Sequence, residues 1–574
     1  MAGQPKAPFY VTLAVVVIAL LCYAGYRFRD LIAPAQKAPN NGPIDPKQLQ
    51  QAAENADSDQ ITTVKEYKFV PSEKLPPVKG ISAYKPLKDN TVRFAINVWA
   101  GWAPIILANG GVDPKKTWKT PDGEEFKVEL VLIDNPVEMR DAYSTGELDI
   151  GWATVDMMPL FMRDFAQDNR VMPRIYQQVD WSNGGDGIVV RENIKTVSDL
   201  RGKTIVLAQN SPSHYFALNM LVAGGVQPSE VKITSTTDAF AAAAAFNGDK
   251  SLAGAVSWSP DIYNLSKVKG NRMLVTTATA NKLIADIWFA RADFAKDHPG
   301  MIEALVRGIF DAMTDLKDDA KRANCAELMA AAYKLKVDDA AKMFDDAHNT
   351  NWAENHQFFM NQNNPANFEH VWRQSYYLYT QVGAIDRKQK EVSFDQVADF
   401  SVIDKLGKEP KYASQKDEYQ IALVPKTVSQ IRGESDEILT NTIVIHFFPN
   451  SWDIYKKIEK DVDGKSVESL YDPNVDAVIK EAGKLIAEFS GARIIIQGHT
   501  DSSMQGQVPA DVVKELSEHR ANAVKEALVE KYKLDPARIA AEGVGWDMPA
   551  DSADPLNHAK NRRVEIKVYT AEKQ

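Results

Sequence analysis

The sequence predicts a multidomain protein of mixed α and β structure, in which an α/β region precedes a smaller α+β domain. Three observations support this fold class. The chain has 574 residues, which is more than a single hydrophobic core usually holds. Short apolar runs alternate with helical periodicity over residues 87–400, and again over residues 437–574. An apolar segment opens the chain, and a polar connector at residues 401–436 separates the two folded regions.

Composition indicates a folded protein that binds something other than nucleic acid. Hydrophobic residues make up 44% of the chain and charged residues 25%, which is ordinary for globular proteins. A net charge of -10 argues against a nucleic-acid partner. The two cysteines, Cys22 and Cys325, offer no disulfide framework. The hydrolase, metalloprotease and P-loop motifs are missing, and the nine histidines show no metal-ligand spacing, so we expect neither an enzyme nor a cofactor.

Residues 9–26 form an apolar segment without a charged residue. Such a segment is just long enough to cross a bilayer as a helix, so we predict a single transmembrane anchor. A cleaved signal peptide is the alternative, because Ala33-Pro34-Ala35 has the small-x-small pattern of a cleavage site. Positive charges lie on both sides, at Lys6, Arg27 and Arg29, so the orientation must follow from the downstream domains.

Residues 27–86 are predicted to be an extended linker. Eight prolines occur between Pro34 and Pro86, separated mainly by glutamine, asparagine, aspartate and alanine. A flexible chain of about fifty residues has an r.m.s. reach of roughly 40 Å. The linker could therefore hold a folded domain well away from the membrane.

The region from residue 87 to residue 400 repeats a strand–helix–strand pattern. Each unit has an apolar strand followed by a helix and a second strand, which predicts parallel sheets covered by helices. After Arg291 the periodicity is helical. The predicted strands are 92–98, 126–133, 148–153, 204–208, 231–234 and 252–257, and the predicted helices are 136–145, 213–223, one starting at 238, 301–316, 326–333 and 368–382.

The last region, residues 437–574, is predicted to be an α+β sandwich with its helices on one face of a sheet. The apolar patterns predict strands at 442–448, 492–497 and 563–569, and helices at 475–489 and 516–532.

Four motifs occur in order in this last region. They are Gly498-His499-Thr500-Asp501, Leu516-Ser517-x-x-Arg520-Ala521, Arg538-Ile539-x-x-x-Gly543-x-Gly545 and Asn561-Arg562-Arg563-Val564-Glu565-Ile566. In order and approximate spacing they resemble the OmpA-like peptidoglycan-binding domains, strongly over 494–568 and more weakly over 441–493. The resemblance implies that the ligand is the diaminopimelate of the stem peptide, with Asp501 on its ammonium and Arg520 on its carboxylate.

The chemistry of this pair agrees with the resemblance. A zwitterionic amino-acid end needs one acid and one planar base, and an arginine–carboxylate fork adds directional hydrogen bonds. Thr500 is a further candidate ligand, while Asn561 and Arg562 either line the groove or brace the sheet. The sequence departs from the family in a segment about four residues longer between Asp501 and Arg520, in Val513 at a common asparagine position, and in Asn557-His558 where Gly-Arg is usual.

Residues 91–382 carry a second resemblance. The motifs are Trp99-Ala100-Gly101-Trp102, Gly146-Glu147-Leu148-Asp149-Ile150-Gly151, Asp199-Leu200-Arg201-Gly202-Lys203-Thr204 and Val256-Ser257-Trp258-Ser259-Pro260-Asp261. They are similar to the periplasmic substrate-binding proteins of the nitrate, sulfonate, taurine and thiamine-precursor class. This resemblance implies two α/β lobes that close on a small solute without chemistry, and an ABC permease as a possible partner.

The solute site is expected in loops at the C-terminal ends of strands, where α/β sheets bind their ligands. A helix start at Ser211–Ser213 favours an anion, because free backbone N–H groups point outward there. Acidic residues, among them Asp186, favour an amine instead, so the charge of the ligand stays open. The predicted solute-binding residues are Trp99, Trp102, Asp156, Ser211, Ser213, Trp258 and Asp261.

Together these features predict a single-pass inner-membrane protein with most of its chain in the periplasm. It would bind a small solute for uptake or sensing and attach non-covalently to peptidoglycan. The alternative is a structural clamp between membrane and wall whose middle domain has lost its ligand. A stator-type ion channel subunit is disfavoured, since residues 9–26 contain no acid for ion conduction.

Overall fold

The computed structural model describes Glu54, residues 67–462 and residues 465–570. The predicted membrane segment 9–26, Cys22 and most of the linker lie outside these described residues. Within the described part of the chain, no helix is both long enough and apolar enough to cross a membrane.

The secondary structure alternates between the two classes along most of the chain. The strands are β1 (Thr91–Ile96), β2 (Trp118–Lys119), β3 (Glu125–Leu132), β4 (Ile150–Thr154), β5 (Pro173–Ser182), β6 (Asp186–Arg191), β7 (Thr204–Ala208), β8 (Lys232–Thr236), β9 (Gly254–Trp258), β10 (Asn271–Thr276), β11 (Ala285–Arg291), β12 (Ala347–Asn349), β13 (Glu437–Ile443), β14 (Lys457–Val462), β15 (Lys465–Leu470), β16 (Arg493–His499), β17 (Ile539–Gly545) and β18 (Val564–Tyr569).

Helices cover the sheets and fill most of the region after β11. They are α1 (Ala103–Asn109), α2 (Pro136–Ser144), α3 (Met158–Phe165), α4 (Pro212–Ala223), α5 (Ala239–Gly248), α6 (Asp261–Ser266), α7 (Ala292–Asp297), α8 (Pro299–Asp315), α9 (Asp319–Tyr333), α10 (Val337–Met343), α11 (Trp352–Met360), α12 (Phe368–Gln381), α13 (Ser401–Leu406), α14 (Pro410–Ala413), α15 (Val428–Glu434), α16 (Val475–Glu488), α17 (Ala510–Tyr532) and α18 (His558–Asn561).

The middle domain has two lobes, each built on its own sheet. The first sheet has the order β12-β5-β11-β4-β1-β3-β2, and the second has the order β10-β6-β9-β7-β8. Strand β1 is parallel to β3 and β4, and β7 is parallel to β8 and β9. The chain passes from one lobe to the other between β5 and β6 and returns between β10 and β11.

The prediction of purely parallel sheets is wrong for the strands at these two crossings. Strand β11 is antiparallel to β4 and β5, and β6 is antiparallel to β9 and β10. No helix separates β5 from β6, or β10 from β11, and the strand that follows each crossing, β6 or β11, runs opposite to the strands of the βαβ units in its sheet. The apolar pattern alone did not reveal them because no helical pattern marks their ends.

Helix caps hold the loops at the C-terminal ends of the strands. The side chain of Asn135 accepts hydrogen bonds from the N–H groups of Val137 and Glu138 at the start of α2, at 2.9 and 3.2 Å. Asp238 accepts one from the N–H of Ala241 at the start of α5, at 2.8 Å. These side chains satisfy backbone donors that a helix start leaves free, so the cleft-forming loops have defined positions.

The described end of the predicted linker is packed against the middle domain. The N–H of Ser72 donates to the carbonyl of Val382 at 2.7 Å, and Arg140 donates to the carbonyl of Pro76 at 2.8 Å. Arg140 is fully buried, and a buried guanidinium needs acceptors, one of which this backbone carbonyl provides. The linker prediction is therefore wrong for residues 67–86.

The predicted connector 401–436 is also structured. It contains α13, α14 and α15, and the ring of Tyr412 is buried against the first lobe, 6.2 Å from that of Phe310. An ion pair of 2.5 Å joins Arg307 to Glu409. Helical segments this short were hidden by their high content of polar residues.

The last domain is an α+β domain with a four-stranded sheet in the order β13-β18-β16-β17. Helices α16 and α17 lie beside it, as the sequence predicts. Strand β13 lies earlier than the predicted 442–448, and α17 begins before the predicted residue 516. The hairpin β14–β15 was missed because its residues are mostly polar and show no alternating apolar pattern.

Candidate functional site

A cleft of about 320 Å³ lies between the two lobes of the middle domain. The first lobe contributes Trp99 after β1 and Asp134 after β3, and the second contributes Ser211 and Trp258 after β7 and at the end of β9. These positions are the C-terminal ends of parallel strands, as predicted from the βαβ pattern. The volume suits a small solute.

Trp99 forms one wall of the cleft. Its indole nitrogen donates to both carboxylate oxygens of Asp180, at 3.3 Å each. Gly101 lies directly beneath, where a Cβ atom would come within 1.6 Å of Asp180 Oδ2. The Trp-Ala-Gly motif thus brings an aromatic ring and a buried carboxylate together, and only glycine fits between them.

Asp180 and Asp286 form a buried acidic pair at the back of the cleft. They face each other across the antiparallel strands β5 and β11, and Asp286 lines the cleft. Burial raises the pKa of Asp180 to about 8. Burial also raises the pKa of Asp286 well above its usual range, and the nearby charge of Asp180 raises it further. Neither residue was predicted from the sequence, since each lies within a strand at a lobe crossing.

Asp156 and Asp186 add two more buried acids. Asp156 is fully buried, and its two carboxylate oxygens have no hydrogen-bond partner among the described residues. Burial raises its pKa to about 7. Asp186 lines the cleft and accepts a hydrogen bond from the hydroxyl of Ser182 at 2.6 Å, yet burial still raises its pKa to about 7. A positive charge in the cleft would favour the ionised form of both acids.

The lining combines acids with aromatic rings. Within the described part of the chain, neither lysine nor arginine contributes to it. The rings of Phe240 and Trp258 meet edge to face with centroids 6.4 Å apart. The other aromatic and acidic residues of the lining are Trp99, Trp152, Asp134, Asp186, Asp238 and Asp286.

Four of the predicted solute-binding residues, Trp102, Asp156, Ser213 and Asp261, do not line the cleft. Trp102 is fully buried and donates to Asn97 Oδ1 at 2.6 Å, so it belongs to the core. Ser213 faces inward from the first turn of α4 and is buried. Asp261 lies in the first turn of α6, past the cleft wall. All four lie a few residues beyond the end of a predicted strand, where the chain has already turned away from the cleft.

Arg520 marks a second candidate site, in the last domain. It lies on α17 and is only 2% exposed. Its guanidinium carbon lies 4.7 Å from the ring centroid of Phe447, and its Nε donates to the carbonyl of Ser451 at 3.0 Å. The two terminal nitrogens of the guanidinium, Nη1 and Nη2, form a fork that can donate parallel hydrogen bonds to a carboxylate.

Asp501 lies at the same end of the domain. Strand β16 ends beside the start of its antiparallel neighbour β18, so the residues after β16 meet those before β18. Asp501 accordingly forms an ion pair with Arg562 and a 2.7 Å hydrogen bond with His558 Nδ1. Burial raises the pKa of Asp501, but the charge of Arg562 and the hydrogen bonds from Ser503 and His558 outweigh it, so the pKa lies below the usual value.

The fork of Arg520 holds the carboxylate of Glu54. Nη1 and Nη2 donate to its two oxygens at 2.9 and 2.6 Å. Arg562 Nε lies 3.7 Å from Glu54 Oε1 and also pairs with Asp501, so the predicted acid and base are joined through one cluster. Glu54 could not be identified from the sequence, because a lone glutamate in a polar segment carries no signal.

The other predicted wall-site residues divide into two groups. Arg562 lies in the cluster. Asn561 instead braces a loop, since its side chain accepts from the N–H groups of Ala550 and Asp551 and donates to the carbonyl of Asp554. Thr500 is buried beside Asp501, and its hydroxyl has no partner in the described part of the chain.

The departures from the family pattern have structural explanations. Val513 is fully buried in a cluster with Met504, Val508 and Leu516, so it packs under the longer loop rather than facing the site. His558, at the position where arginine is usual, holds Asp501. The acid and base of the site are therefore kept, while their surroundings differ.

Comparisons with known proteins match both regions. Residues 466–563 match the OmpA family, and residues 122–323 match the family described as NMT1/THI5 like. The chain thus combines a C-terminal OmpA domain with an NMT1/THI5-like substrate-binding domain, and both resemblances inferred from the motifs are confirmed.

Individual relatives align over parts of their length. Outer membrane protein Omp38 of Acinetobacter baumannii is 34% identical over 105 residues, which are 18% of this chain and 27% of that protein. The taurine-binding periplasmic protein of Escherichia coli is 27% identical over 201 residues, which are 34% of this chain and 58% of that protein. The chain therefore spans about a quarter of the first relative and less than two thirds of the second. The crystal structure of the periplasmic aliphatic sulphonate binding protein SsuA from Escherichia coli aligns at 19% identity, over 52% of this chain and 95% of that one, with a TM-score of 0.40.

Proposed function

We propose that this protein binds a small solute with a cationic nitrogen and is attached to peptidoglycan through its OmpA domain. The composition of the cleft lining supports a cationic solute. The cleft is lined by aromatic rings and carboxylates and, among its described residues, has no lysine or arginine. Cationic nitrogens bind to aromatic faces and to carboxylates, whereas the described lining offers no basic side chain to an anion.

The buried acids support the same choice of solute. Four aspartates, Asp156, Asp180, Asp186 and Asp286, have raised pKa values because the ionised forms are poorly solvated. A cation in the cleft would supply the missing counter-charge and let some of them ionise. The taurine-binding relative agrees with this in part, because taurine carries an ammonium group besides its sulfonate. The start of α4 at Ser211 could receive the anionic end of such a zwitterion.

Attachment to the wall is supported by the OmpA match and by the buried cluster around Arg520. Residues 9–26 would then anchor the chain in the inner membrane, with both folded domains in the periplasm, where an ABC permease or a sensor could receive the solute. A structural clamp with an empty middle domain is the second candidate, and the lack of a base for a sulfonate among the described lining residues is the observation that favours it.

A matched set of small molecules tests the solute class. Taurine and ethanesulfonate differ by the amino group, and ethylamine lacks the sulfonate. We expect taurine and ethylamine to raise the melting temperature of the full-length protein, and ethanesulfonate to leave it unchanged. At a concentration of about one hundred times Kd the shift corresponds to about 2.7 kcal/mol. If ethanesulfonate alone stabilises the protein, the proposed solute class is wrong, and if no probe does, the clamp is favoured.

Two substitutions test whether the probes that raise the melting temperature bind in the cleft. Asp186→Asn should abolish the shift, because it removes a carboxylate that lines the cleft. Asp261→Asn is the matched control, since Asp261 lies on α6 outside the cleft lining and its loss should leave the shift intact. Equal loss in both variants would mean that the probes bind elsewhere.

A further inference from the structure

We infer that Glu54 is an internal ligand of the peptidoglycan site, which it occupies in competition with a carboxylate of the wall peptide. This inference rests on the proposed wall attachment. The carboxylate that pairs with the guanidinium of Arg520 comes from Glu54, which lies 466 positions earlier in the chain. Glu54 lies within the segment predicted to be a linker, outside both folded domains.

The geometry of Glu54 is that of a bound ligand. Both carboxylate oxygens are held by the parallel N–H groups of Arg520, the arrangement that gives arginine its preference for carboxylates. The backbone of Glu54 is bound as well: its N–H donates to Asn450 Oδ1 at 3.2 Å, and the N–H of Asn450 donates to Glu54 Oε2 at 3.0 Å. Only 3% of Glu54 is exposed, so the residue fills the groove rather than lying across it.

Among the described residues of this cluster, a second carboxylate besides Asp501 balances the two guanidinium charges. Arg520 and Arg562 contribute two positive charges, and Asp501 contributes one negative charge. Glu54 supplies the second. The charge of Arg520 and its hydrogen bonds outweigh the effect of burial on the pKa of Glu54, which therefore lies below the usual value, and the side chain is ionised at neutral pH. Without Glu54, a buried fork would require another carboxylate.

A stem peptide provides that group. The amino-acid end of diaminopimelate carries a carboxylate, and its attachment to the fork requires that Glu54 leaves. Binding to the wall is then weakened by the fraction of molecules in which Glu54 occupies the site. Occupation of the fork by Glu54 and by the wall ligand would therefore be mutually exclusive.

Removing the charge of Glu54 tests the inference in the full-length protein. Glu54→Gln keeps the size of the side chain and loses the ion pair with Arg520. We expect its Kd for purified sacculi, measured by co-sedimentation, to fall at least tenfold, and addition of free meso-diaminopimelate to compete for binding. The control is Glu73→Gln, which removes the same charge from an exposed position further along the N-terminal segment and should bind like the parent.

A double-mutant cycle in melting separates this inference from the wall proposal. If Glu54 contacts Arg520 in solution, Glu54→Gln should lower the melting temperature of the parent but have little effect in an Arg520→Gln background. Unchanged or weaker sacculus binding by Glu54→Gln, or additive melting effects, would overturn the inference. If neither the parent nor any variant binds sacculi, the proposed wall attachment is wrong, and so is the competition between Glu54 and the wall peptide. The melting cycle would still show whether Glu54 pairs with Arg520.

Discussion

At the scale of single residues, the two candidate sites use buried charge in opposite ways. The cleft gathers acids whose pKa values are raised by burial, with Asp156 and Asp186 both at about 7. The OmpA site pairs each acid with a base, so the pKa values of Glu54 and Asp501 lie below their usual values. Under the proposed function, the first arrangement would receive a cation and the second would receive a carboxylate.

The acid and base of the wall site can be tested separately. Alanine at Asp501 or Arg520 would leave a cavity in the buried cluster, so Asp501→Asn and Arg520→Lys, which keep most of the side-chain volume, are the better substitutions. We expect each to reduce sacculus binding more than tenfold, in keeping with about 2–5 kcal/mol for a buried pair at an interface. Arg432→Lys should bind normally, because Arg432 lies on the connector helix α15 and forms an exposed ion pair with Glu542. Parental binding by both site variants would show that the wall is bound elsewhere.

At the scale of elements, one helix positions Arg520, the arginine proposed to bind the wall. Helix α17 packs directly on β16 and β17, and it does so at glycines. A Cβ atom on Gly543 would lie 2.1 Å from the carbonyl oxygen of Lys514 and 2.3 Å from the nitrogen of Glu518. This close approach brings Arg520, further along the helix, over the end of the sheet where Asp501 lies.

Substituting this glycine should therefore affect both stability and binding. Gly543→Ala must push α17 away from the sheet, and overpacking of this kind destabilises a domain by about 1–3 kcal/mol. We expect a lower melting temperature and a loss of sacculus binding, since Arg520 moves with its helix. Gly433→Ala is the control, because a Cβ atom at that position would have no atom within 4 Å and the backbone there is helical. Unaltered binding by a stable Gly543→Ala protein would contradict this role of α17.

At the scale of the whole molecule, the two folded domains form a contiguous unit. His370 of the middle domain forms a 2.8 Å pair with Glu488 at the end of α16. Asn281 accepts hydrogen bonds from the hydroxyl of Ser490 and the N–H of Gly491, at 2.6 and 3.0 Å. Glu54 adds a contact from the N-terminal segment to the OmpA site. The solute cleft, the wall site and the N-terminal segment are thereby connected within one structure.

The two domains should nevertheless respond to pH in opposite directions. Acids with raised pKa values, such as Asp156 and Asp186, stabilise the folded state at low pH, and this stability is lost as the pH rises from about 4 through 7. Glu54 and Asp501 have lowered pKa values, so their contribution is present at neutral pH and is lost only below about pH 4.5.

Hydrogen exchange resolved by peptide can measure this difference. Between about pH 5.5 and 8, after correction for intrinsic exchange, peptides of the middle domain should lose protection equivalent to about 1–2 kcal/mol for each raised acid. Peptides from residues 490–570 should change little. Asp186→Asn should reduce the loss, and a cationic solute should bind more tightly at the higher pH. Middle-domain protection that rises with pH would contradict the prediction.

The sequence by itself determined the order of the two domains, the βαβ units and the OmpA motifs, and it predicts Asp501 and Arg520 as the acid and base of the wall site. These features depend on local periodicity and on residue spacing, which a single chain displays directly. Loops at strand ends were also predicted correctly, with Trp99, Ser211 and Trp258 in the cleft.

Only the tertiary structure decided the rest. Asp180 and Asp286 come together because two antiparallel strands cross between the lobes, and no sequence pattern marks that pairing. The side chains of Trp102 and Ser213 are buried in the core and do not face the cleft, because side-chain direction changes within a few residues after a strand ends. Glu54 contacts Arg520 although the two residues are 466 positions apart in the chain. Such an ion pair depends on the folded structure, and it leaves no periodic pattern in the sequence.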